Sequence, residues 1–428
     1  MANNTITAPK GFLAAGVGCG IKQSGRPDLG LIVCPAGATA AAVFTTNKVV
    51  SAAVQVSKKH IKSPRIFAVV VNSGNANTCT GRQGLQNAIK MCVRTARQLQ
   101  IENRKSKIEN RNILVASTGI IGHQLPIKKI TAGIPKAAAS LSDSAEAGLS
   151  FTKAIMTTDT RPKQAVRRFA IDDWRLAIEN NERGIGNRKS KIENPVVTIA
   201  GVVKGAGMIA PNMATTLCFI TTDAVITKPL LARALKDAIR NSLNKLTVDG
   251  HQSTNDTAII LASGIAGNRP IVKQCPRYKK FAVALAELCD DLTRQMALDA
   301  EGATRMFKVI VKGAATKADA AKAAMAVANY PLVKCAVHGG DPNWGRIICA
   351  VGSAGVKLNP AKLSCEIGPI TVFKNGAPAK FNEKKASAVI RQTEHTIIVN
   401  LGVGRAGDFC YGCDLSAEYV RINAEYRT

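Results

Sequence analysis

The chain has 428 residues and carries 58 Lys and Arg against 29 Asp and Glu, a formal net charge of +29. Apolar residues make up 46 % and charged residues 20 %, which excludes a wholly disordered, collagen-like or mucin-like chain. Aromatics are 4 %, so the core must rest on Val, Ile, Leu and Ala, and an aromatic base-stacking surface is not expected.

In chain order, the run from Gly11 to Ile21 reads as a first strand and turn rather than a signal sequence. It is Gly-rich, poor in Leu and preceded by one basic residue, Lys10. Strand-like β-branched runs follow at Ile66–Val71 and Ile113–Ala116. Between them Leu85, Ala88, Ile89, Cys92, Ala96 and Leu99 recur at helical spacing over Gly84–Leu99. Val196–Val203 and Leu217–Ile226 read as strands, Pro229–Leu243 as a helix and Ala258–Ala262 as a strand. A helix over Lys279–Met296 is carried by Phe281, Leu285, Leu288, Cys289, Leu292 and Met296. Then come a strand at Phe307–Val311, a helix at Ala318–Ala328, and strands at Ile347–Val351, Ile370–Phe373 and Thr396–Leu401. Strands and helices both interleave and cluster, so the expected class is α/β with mixed sheets in two units. The longest apolar candidate, Val196 to Ile226, is interrupted by Lys204 and Asp223, and no transmembrane helix is expected.

The 12 cysteines lie mostly inside apolar runs, which indicates buried thiols in a reducing, cytoplasmic compartment. Cys410-Tyr411-Gly412-Cys413 is a CxxC without a thioredoxin-like context or a second ligand pair, so it predicts neither a redox site nor a metal. His60, His123, His251, His338 and His395 show no paired ligand spacing and read as structural or surface groups. Lys and Arg are dispersed and accompany no nucleic-acid signature. The excess therefore reads as a solvated surface that concentrates carboxylate substrates, with neither nucleic acid nor membrane as a partner. The octapeptide NRKSKIEN recurs letter for letter at Asn103–Asn110 and Asn187–Asn194. Both copies read as surface-loop insertions, with a nucleic-acid contact through Arg-Lys-x-Lys as the sharper alternative.

The segment Val203–Leu217, VKGAGMIAPNMATTL, matches a dinucleotide fingerprint on paper through Gly205, Gly207 and Ala210. A strand pattern follows it instead of the helix that would face a pyrophosphate, so that reading fails. The alternative is a Gly/Pro-rich turn presenting Ala214 and Thr215 at the head of a strand. Cleavage of the Ala214–Thr215 bond would give the Thr215 hydroxyl its own base, an α-amine with a pKa of about 7.7–8.0. The cut itself can be autocatalytic, with Thr215 Oγ attacking the Ala214 carbonyl and water resolving the ester. Loops of small polar residues at Asn72–Asn77, Ser117–Gly122, Met156–Thr160, Asp249–Asp256 and Gly340–Arg346 outnumber what turn-making requires and lie where α/β proteins keep their sites.

The ordered set of these segments resembles the ornithine acetyltransferase family, the bifunctional glutamate N-acetyltransferases and amino-acid acetyltransferases of arginine biosynthesis. The matches run through GFLAAG (Gly11 to Gly16), Ile21 with Lys22, NSGNAN (Asn72 to Asn77), ASTG (Ala116 to Gly119), MTTDT (Met156 to Thr160) and KGAGMIAPNMAT (Lys204 to Thr215). They continue through STND (Ser253 to Asp256), EGAT (Glu301 to Thr304), DPNWGR (Asp341 to Arg346) and GCDL (Gly412 to Leu415) to Ile422–Ala424, Tyr426 and Thr428. The resemblance implies layered mixed sheets flanked by helices, with a smaller second domain. It also implies self-cleavage between Ala214 and Thr215 into an α chain of residues 1–214 and a β chain of residues 215–428, generally two of each.

Thr215 would then carry acetyl from N-acetylornithine to glutamate with no cofactor, acetyl-CoA being a possible co-substrate. By the same resemblance Thr118 and Gly119 form the oxyanion hole. Thr157 or Thr158, Lys204, Glu301, Asn423 and Thr428 meet the substrates, and no metal takes part. An N-terminal-threonine hydrolase or aminopeptidase with water as acceptor is the alternative.

Overall fold

The computed structural model describes residues 3–102, 107–171, 195–210 and 216–425. Ala214, Thr215, Thr428 and the octapeptide at 187–194 lie outside the described residues. The larger of two sheets contains β1 (Leu13–Val17), β2 (Leu29–Phe44), β3 (Ile66–Asn75), β4 (Ile113–Ile120), β5 (Lys163–Ala170), β6 (Val196–Lys204), β7 (Leu217–Thr222) and β8 (Thr257–Ala262). Its order is β4-β3-β2-β8-β7-β6-β5, with β1 added on β2. The β3–β4 and β7–β8 pairs are parallel and the other pairs antiparallel.

The long strand β2 organises the unit. Its first half pairs with β3 until the register breaks between Val33 and Ala38, and Thr39–Phe44 then pair with β8. The sheet is thereby carried across itself, and its two halves face each other. Ile32, Val69, Val71 and Leu114 on one half meet Val202, Phe219, Ile259 and Leu261 on the other. From α4 (Ala145–Ile155), Phe151 enters that layer edge-on to Phe219, with ring centroids 5.6 Å apart. Helices α1 (Ala52–His60), α2 (Gly81–Glu102) and α3 (Ile127–Ala139) cover the outer face of β2–β4, where Val70 and Val115 meet Met91, Ile130 and Ile134. Helices α5 (Lys228–Arg240) and α6 (Pro276–Leu298) cover the opposite outer face against Ile199, Ile220 and Ile260. The result is a helix–sheet–sheet–helix stack.

The smaller unit has β9 (Met306–Ala314), β10 (Ser364–Ile367), β11 (Ile370–Lys374), β12 (Ala377–Pro378), β13 (Glu394–Asn400) and β14 (Ala406–Cys413) in the order β12-β11-β10-β13-β9-β14. It is accompanied by α7 (Lys317–Asn329), α8 (Pro331–Gly339), α9 (Trp344–Gly352) and α10 (Glu383–Ile390), while α11 (Ala417–Glu425) returns to the larger unit. This is the expected class: layered mixed sheets flanked by helices, with a smaller second domain.

Two elements depart from expectation. The β-branched run Ile347–Val351 is helical, inside α9. The Asn343 side chain caps that helix by accepting from Arg346 N (3.1 Å), and Ile347, Ala350 and Val351 then fall on one buried face. The strand read over Leu217–Ile226 stops at Thr222. There the Asp223 carboxylate turns back to accept from Thr198 N (2.8 Å). Of the octapeptide at 103–110, residues 107–110 are described, and Ile108 is buried with the α2–α3 layer. Cys410 and Cys413 are free thiols on β14, one in each of two separate cores. Among the described residues no helix is long and apolar enough to cross a membrane.

Candidate active site

Thr118 and Gly119 lie near the end of β4, in parallel register with Ser73 and Gly74 of β3. Gly119 has φ +129°, and a Cβ there would sit 2.3 Å from the Gly74 carbonyl carbon, so these strand ends can approach only because the residue is glycine. Lys204 is the last residue of β6 and is 2 % exposed. Its Nζ donates to Thr118 Oγ1 (2.9 Å) and to Thr157 Oγ1 (3.0 Å). With that ammonium on the Thr118 oxygen, the hydroxyl's own proton is left for another acceptor. Burial pushes the Lys204 amine below its ordinary range, opposed by the charge of Asp159.

Asp159 fastens the turn that carries Thr157 and Thr158. Its Oδ1 accepts from Gly205 N (2.8 Å) and Lys163 Nζ (2.6 Å), and its Oδ2 accepts from Thr157 N (3.0 Å). Burial alone would raise this carboxyl, but the charges of Lys163 and Lys204 outweigh it and hold the group at about 2. On the far wall Glu301 N donates to Ala206 O (2.9 Å). A Cβ on Gly207 would lie 2.2 Å from Glu301 Oε2, so the bare backbone makes room for that carboxylate. Asn423 Nδ2 on α11 donates to the same oxygen (2.9 Å), which brings the chain's last described helix back to the cleft. Asp249 accepts from Met208 N (2.6 Å) and Ile209 N (3.0 Å), holding Met208 at φ +56°.

Thr118, Gly119, Thr157, Thr158, Lys204, Glu301 and Asn423 thus line one cleft of about 330 Å³, and it is Thr157 of the two threonines that bonds Lys204. The antiparallel pair β6–β7 sets Lys204 opposite Leu217, so the turn between them ends at this cleft. A family model, the ArgJ family, matches residues 13–428. The chain belongs to the ArgJ family. It is 42 % identical over 425 residues to the arginine biosynthesis bifunctional protein ArgJ of Symbiobacterium thermophilum, covering 99 % of this chain and 98 % of that one. A crystal structure of ArgJ from Bacillus halodurans is similar at 42 % identity, with a TM-score of 0.47 over 49 % of this chain and 98 % of that chain. An ornithine acetyltransferase from Mycobacterium tuberculosis, complexed with ornithine, is similar at 32 % identity, with a TM-score of 0.40 over 49 % of this chain and 96 % of that one.

Two further residues of this ArgJ-family site, both in the STND segment, receive no role from their motif. Asn255 Nδ2 donates to Ala76 O (2.6 Å) and to Ser117 O (2.7 Å), the carbonyl just before Thr118. Its Oδ1 accepts from Thr78 Oγ1 (2.7 Å) and Thr254 Oγ1 (2.6 Å), so every hydrogen-bonding position of the amide is used. Asp256 Oδ1 accepts from Thr216 N (2.8 Å), pinning the residue next to position 215. Burial drives the Asp256 carboxyl well above the usual range, against the pull of Thr216 N–H and Lys204. Its Oδ2 is buried without a hydrogen-bond partner among the described residues. The segment Ser253–Asp256 stands out in the sequence as part of the Asp249–Asp256 polar loop and as the STND match, and neither assigns a task to Asn255 or Asp256. His251, read as a structural or surface group, is exposed on the cleft rim 3.5 Å from Asp249. By contrast, His395 is buried against Phe307 and pushed down to about 4 by that burial.

Proposed function

We propose that the chain is an acetyltransferase of arginine biosynthesis that moves acetyl from N-acetylornithine to glutamate through an ester on Thr215. The precursor cuts itself first. Thr215 Oγ attacks the Ala214 carbonyl, the peptide becomes an ester, and water releases an α chain ending at Ala214 and a β chain starting at Thr215. The freed α-amine, with a pKa of about 7.7–8.0, then takes the hydroxyl proton. N-acetylornithine acylates Thr215 and ornithine leaves with that proton. The glutamate amine attacks the ester next and departs as N-acetylglutamate, restoring the hydroxyl.

Both tetrahedral intermediates carry an oxyanion, which Thr118 Oγ–H and Gly119 N–H stabilise. Lys204 holds the Thr118 hydroxyl in place and offers positive charge to a substrate carboxylate, as Thr157 and Thr158 line its approach. Glu301, steadied by Asn423, suits the substrate's amino group. Thr428 is assigned to substrate binding by the family resemblance alone. Acetyl-CoA serves as a second donor, no metal or bound cofactor takes part, and two α and two β chains assemble.

The observation that carries this reading is the convergence of Lys204 Nζ on Thr118 Oγ1 and Thr157 Oγ1, at 2.9 and 3.0 Å, in the cleft that Glu301 closes. Mass spectrometry of the purified protein, paired with acetyl transfer from N-acetylornithine to isotope-labelled glutamate, tests it. Two fragments and labelled N-acetylglutamate are expected. An uncut 45.1 kDa chain with full activity, or free acetate as the product, would overturn it.

A further inference from the structure

Behind the cleft, four buried side chains of alternating charge follow one another: Asp299, Lys163, Asp159 and Lys204. Lys163 opens β5 opposite Val203 of β6, so strand pairing brings the two lysines within one register position. Its Nζ donates to Asp159 Oδ1 (2.6 Å) and to Asp299, the residue that follows α6 two positions before Glu301. Asp299 in turn accepts from Thr160 N (3.2 Å) and Thr160 Oγ1. One ammonium thereby ties the Thr157–Thr160 turn to the end of α6. Burying a lysine this completely is costly unless it is paired, and Lys163 is paired twice.

Lys204 stands differently. Two of its protons go to the hydroxyl oxygens of Thr118 and Thr157, the third is left over, and it forms no ion pair among the described residues. Yet Asp159 borders it on two sides. Oδ2 accepts from the N–H of Thr157, whose hydroxyl takes a Lys204 proton, and Oδ1 accepts from Gly205 N, the next residue in the chain. An unclaimed carboxylate in that position would pair with the Lys204 ammonium and compete with a carboxylate arriving in the cleft. Lys163 claims Asp159 instead, and Asp299 balances Lys163, so the cluster is neutral while Lys204 stays open to the cleft.

We propose that Lys163 is a positioning residue that keeps the Lys204 ammonium free for the carboxylate of the amino-acid substrate by holding Asp159 away from it; this rests on the acetyl-transfer reading, which supplies that carboxylate. Lys163 itself is not among the residues that line the cleft and acts through Asp159. The charged and titratable groups facing Lys204 are Asp159, Lys163, Asp256 and Glu301, with Lys22 nearby. Burial and the charge of Lys163 push the Lys204 amine down, and the acids push it up. Because the carboxylate is held by the ammonium, kcat/KM falls as pH rises through the Lys204 range. Loss of Lys163 therefore moves that fall to higher pH, and loss of the Asp159 charge moves it to lower pH.

The test uses the full-length protein in acetyl transfer from N-acetylornithine to labelled glutamate, with kcat and KM resolved across pH. Lys163→Met/Asp299→Asn removes one charge of each sign and frees Asp159 for Lys204. KM for both substrates should rise by about tenfold with kcat reduced less, and the fall of kcat/KM at high pH should move upward. Adding Asp159→Asn to that variant removes the competing carboxylate, and KM should return to within about threefold of wild type. Asp159→Asn alone leaves Lys163 paired with Asp299 and should move the high-pH fall downward, and it carries the test if the double variant does not fold. An unchanged KM in the folded double variant, no recovery on adding Asp159→Asn, or a high-pH fall that stays in place in Asp159→Asn would overturn the proposal. Any of these beside normal wild-type transfer removes the role of Lys163 alone. A wild-type protein that makes no N-acetylglutamate removes the acetyl-transfer reading and this role together.

Discussion

Thr118→Ala deletes one hydroxyl from the cleft and leaves the backbone donor assigned at Gly119 in place. The deletion therefore reports the loss of a single oxyanion donor. Such losses reduce kcat by roughly 10²–10³-fold, or about 2.7–4 kcal/mol of transition-state stabilisation. The same change takes from Lys204 Nζ its acceptor at 2.9 Å and leaves Thr157 Oγ1 at 3.0 Å. A second effect of about 1–3 kcal/mol should therefore appear in folding stability, because a buried ammonium loses a partner. The two effects separate in steady-state transfer of acetyl from N-acetylornithine to labelled glutamate, with kcat and KM resolved, and in urea unfolding of the same samples. Thr118→Ser keeps the oxygen and should recover most of both. A folded, cleaved Thr118→Ala protein with wild-type kcat would refute the oxyanion role, and an unchanged unfolding midpoint would refute the coupling to Lys204.

The remaining expectations concern charge and packing around the same cleft. Asp159 titrates at about 2 in the fold, against about 3.9 when unfolded, so it supplies stability above pH 4 that is lost as pH falls towards 2. That is worth about 2–3 kcal/mol, and Asp159→Asn should flatten the acid limb of a stability–pH curve over this window; an identical limb would contradict it. Asp256 has the opposite sign: its raised carboxyl lowers stability near neutrality, and the cost fades as pH falls towards the ordinary range. Asp256→Asn keeps an acceptor for Thr216 N, so its Tm should exceed wild type at pH 8 and approach it near pH 4, and a lower Tm at pH 8 would exclude this account. Gly207→Ala would set a Cβ 2.2 Å from Glu301 Oε2 and so displace the carboxylate. KM for the amino-acid substrate should rise by about tenfold while cleavage persists, and an unchanged KM would detach Glu301 from substrate binding.

Much of the fold was legible where one physical signal dominated. Helix α6 repeats Phe281, Leu285, Leu288, Leu292 and Met296 along its buried face, and the inner strands β3 and β6 carry the apolar, Val- and Ile-rich runs Ile66–Val71 and Val196–Val203. The 16-residue strand β2 was not legible, because its second half is built of Ala38, Ala40, Ala41 and Ala42, residues of weak strand preference that fit here through tight packing between layers. Ile347–Val351 misled for the converse reason: β-branching suggested a strand, and the cap at Asn343 together with the buried face decided for a helix. In the site, short motifs pointed to Thr118, Lys204 and Glu301. The STND match marked the segment of Asn255 and Asp256, but their roles as hub and pin depend on carbonyls and amides from distant segments and were not legible in it.

In the larger sheet β8 and β7 run between β2 and β6. Thr257–Ala262 are zipped to Thr39–Phe44 on one side, and Leu217–Thr222 to Ile199–Lys204 on the other. The scission proposed at residue 214 would consequently sever a covalent link and no ladder, and the two pieces would stay woven like warp and weft. Either piece made alone would present raw strand borders prone to aggregation, so the proposed cut would have to follow folding, and prying the pieces apart afterwards would mean dismantling the sheet.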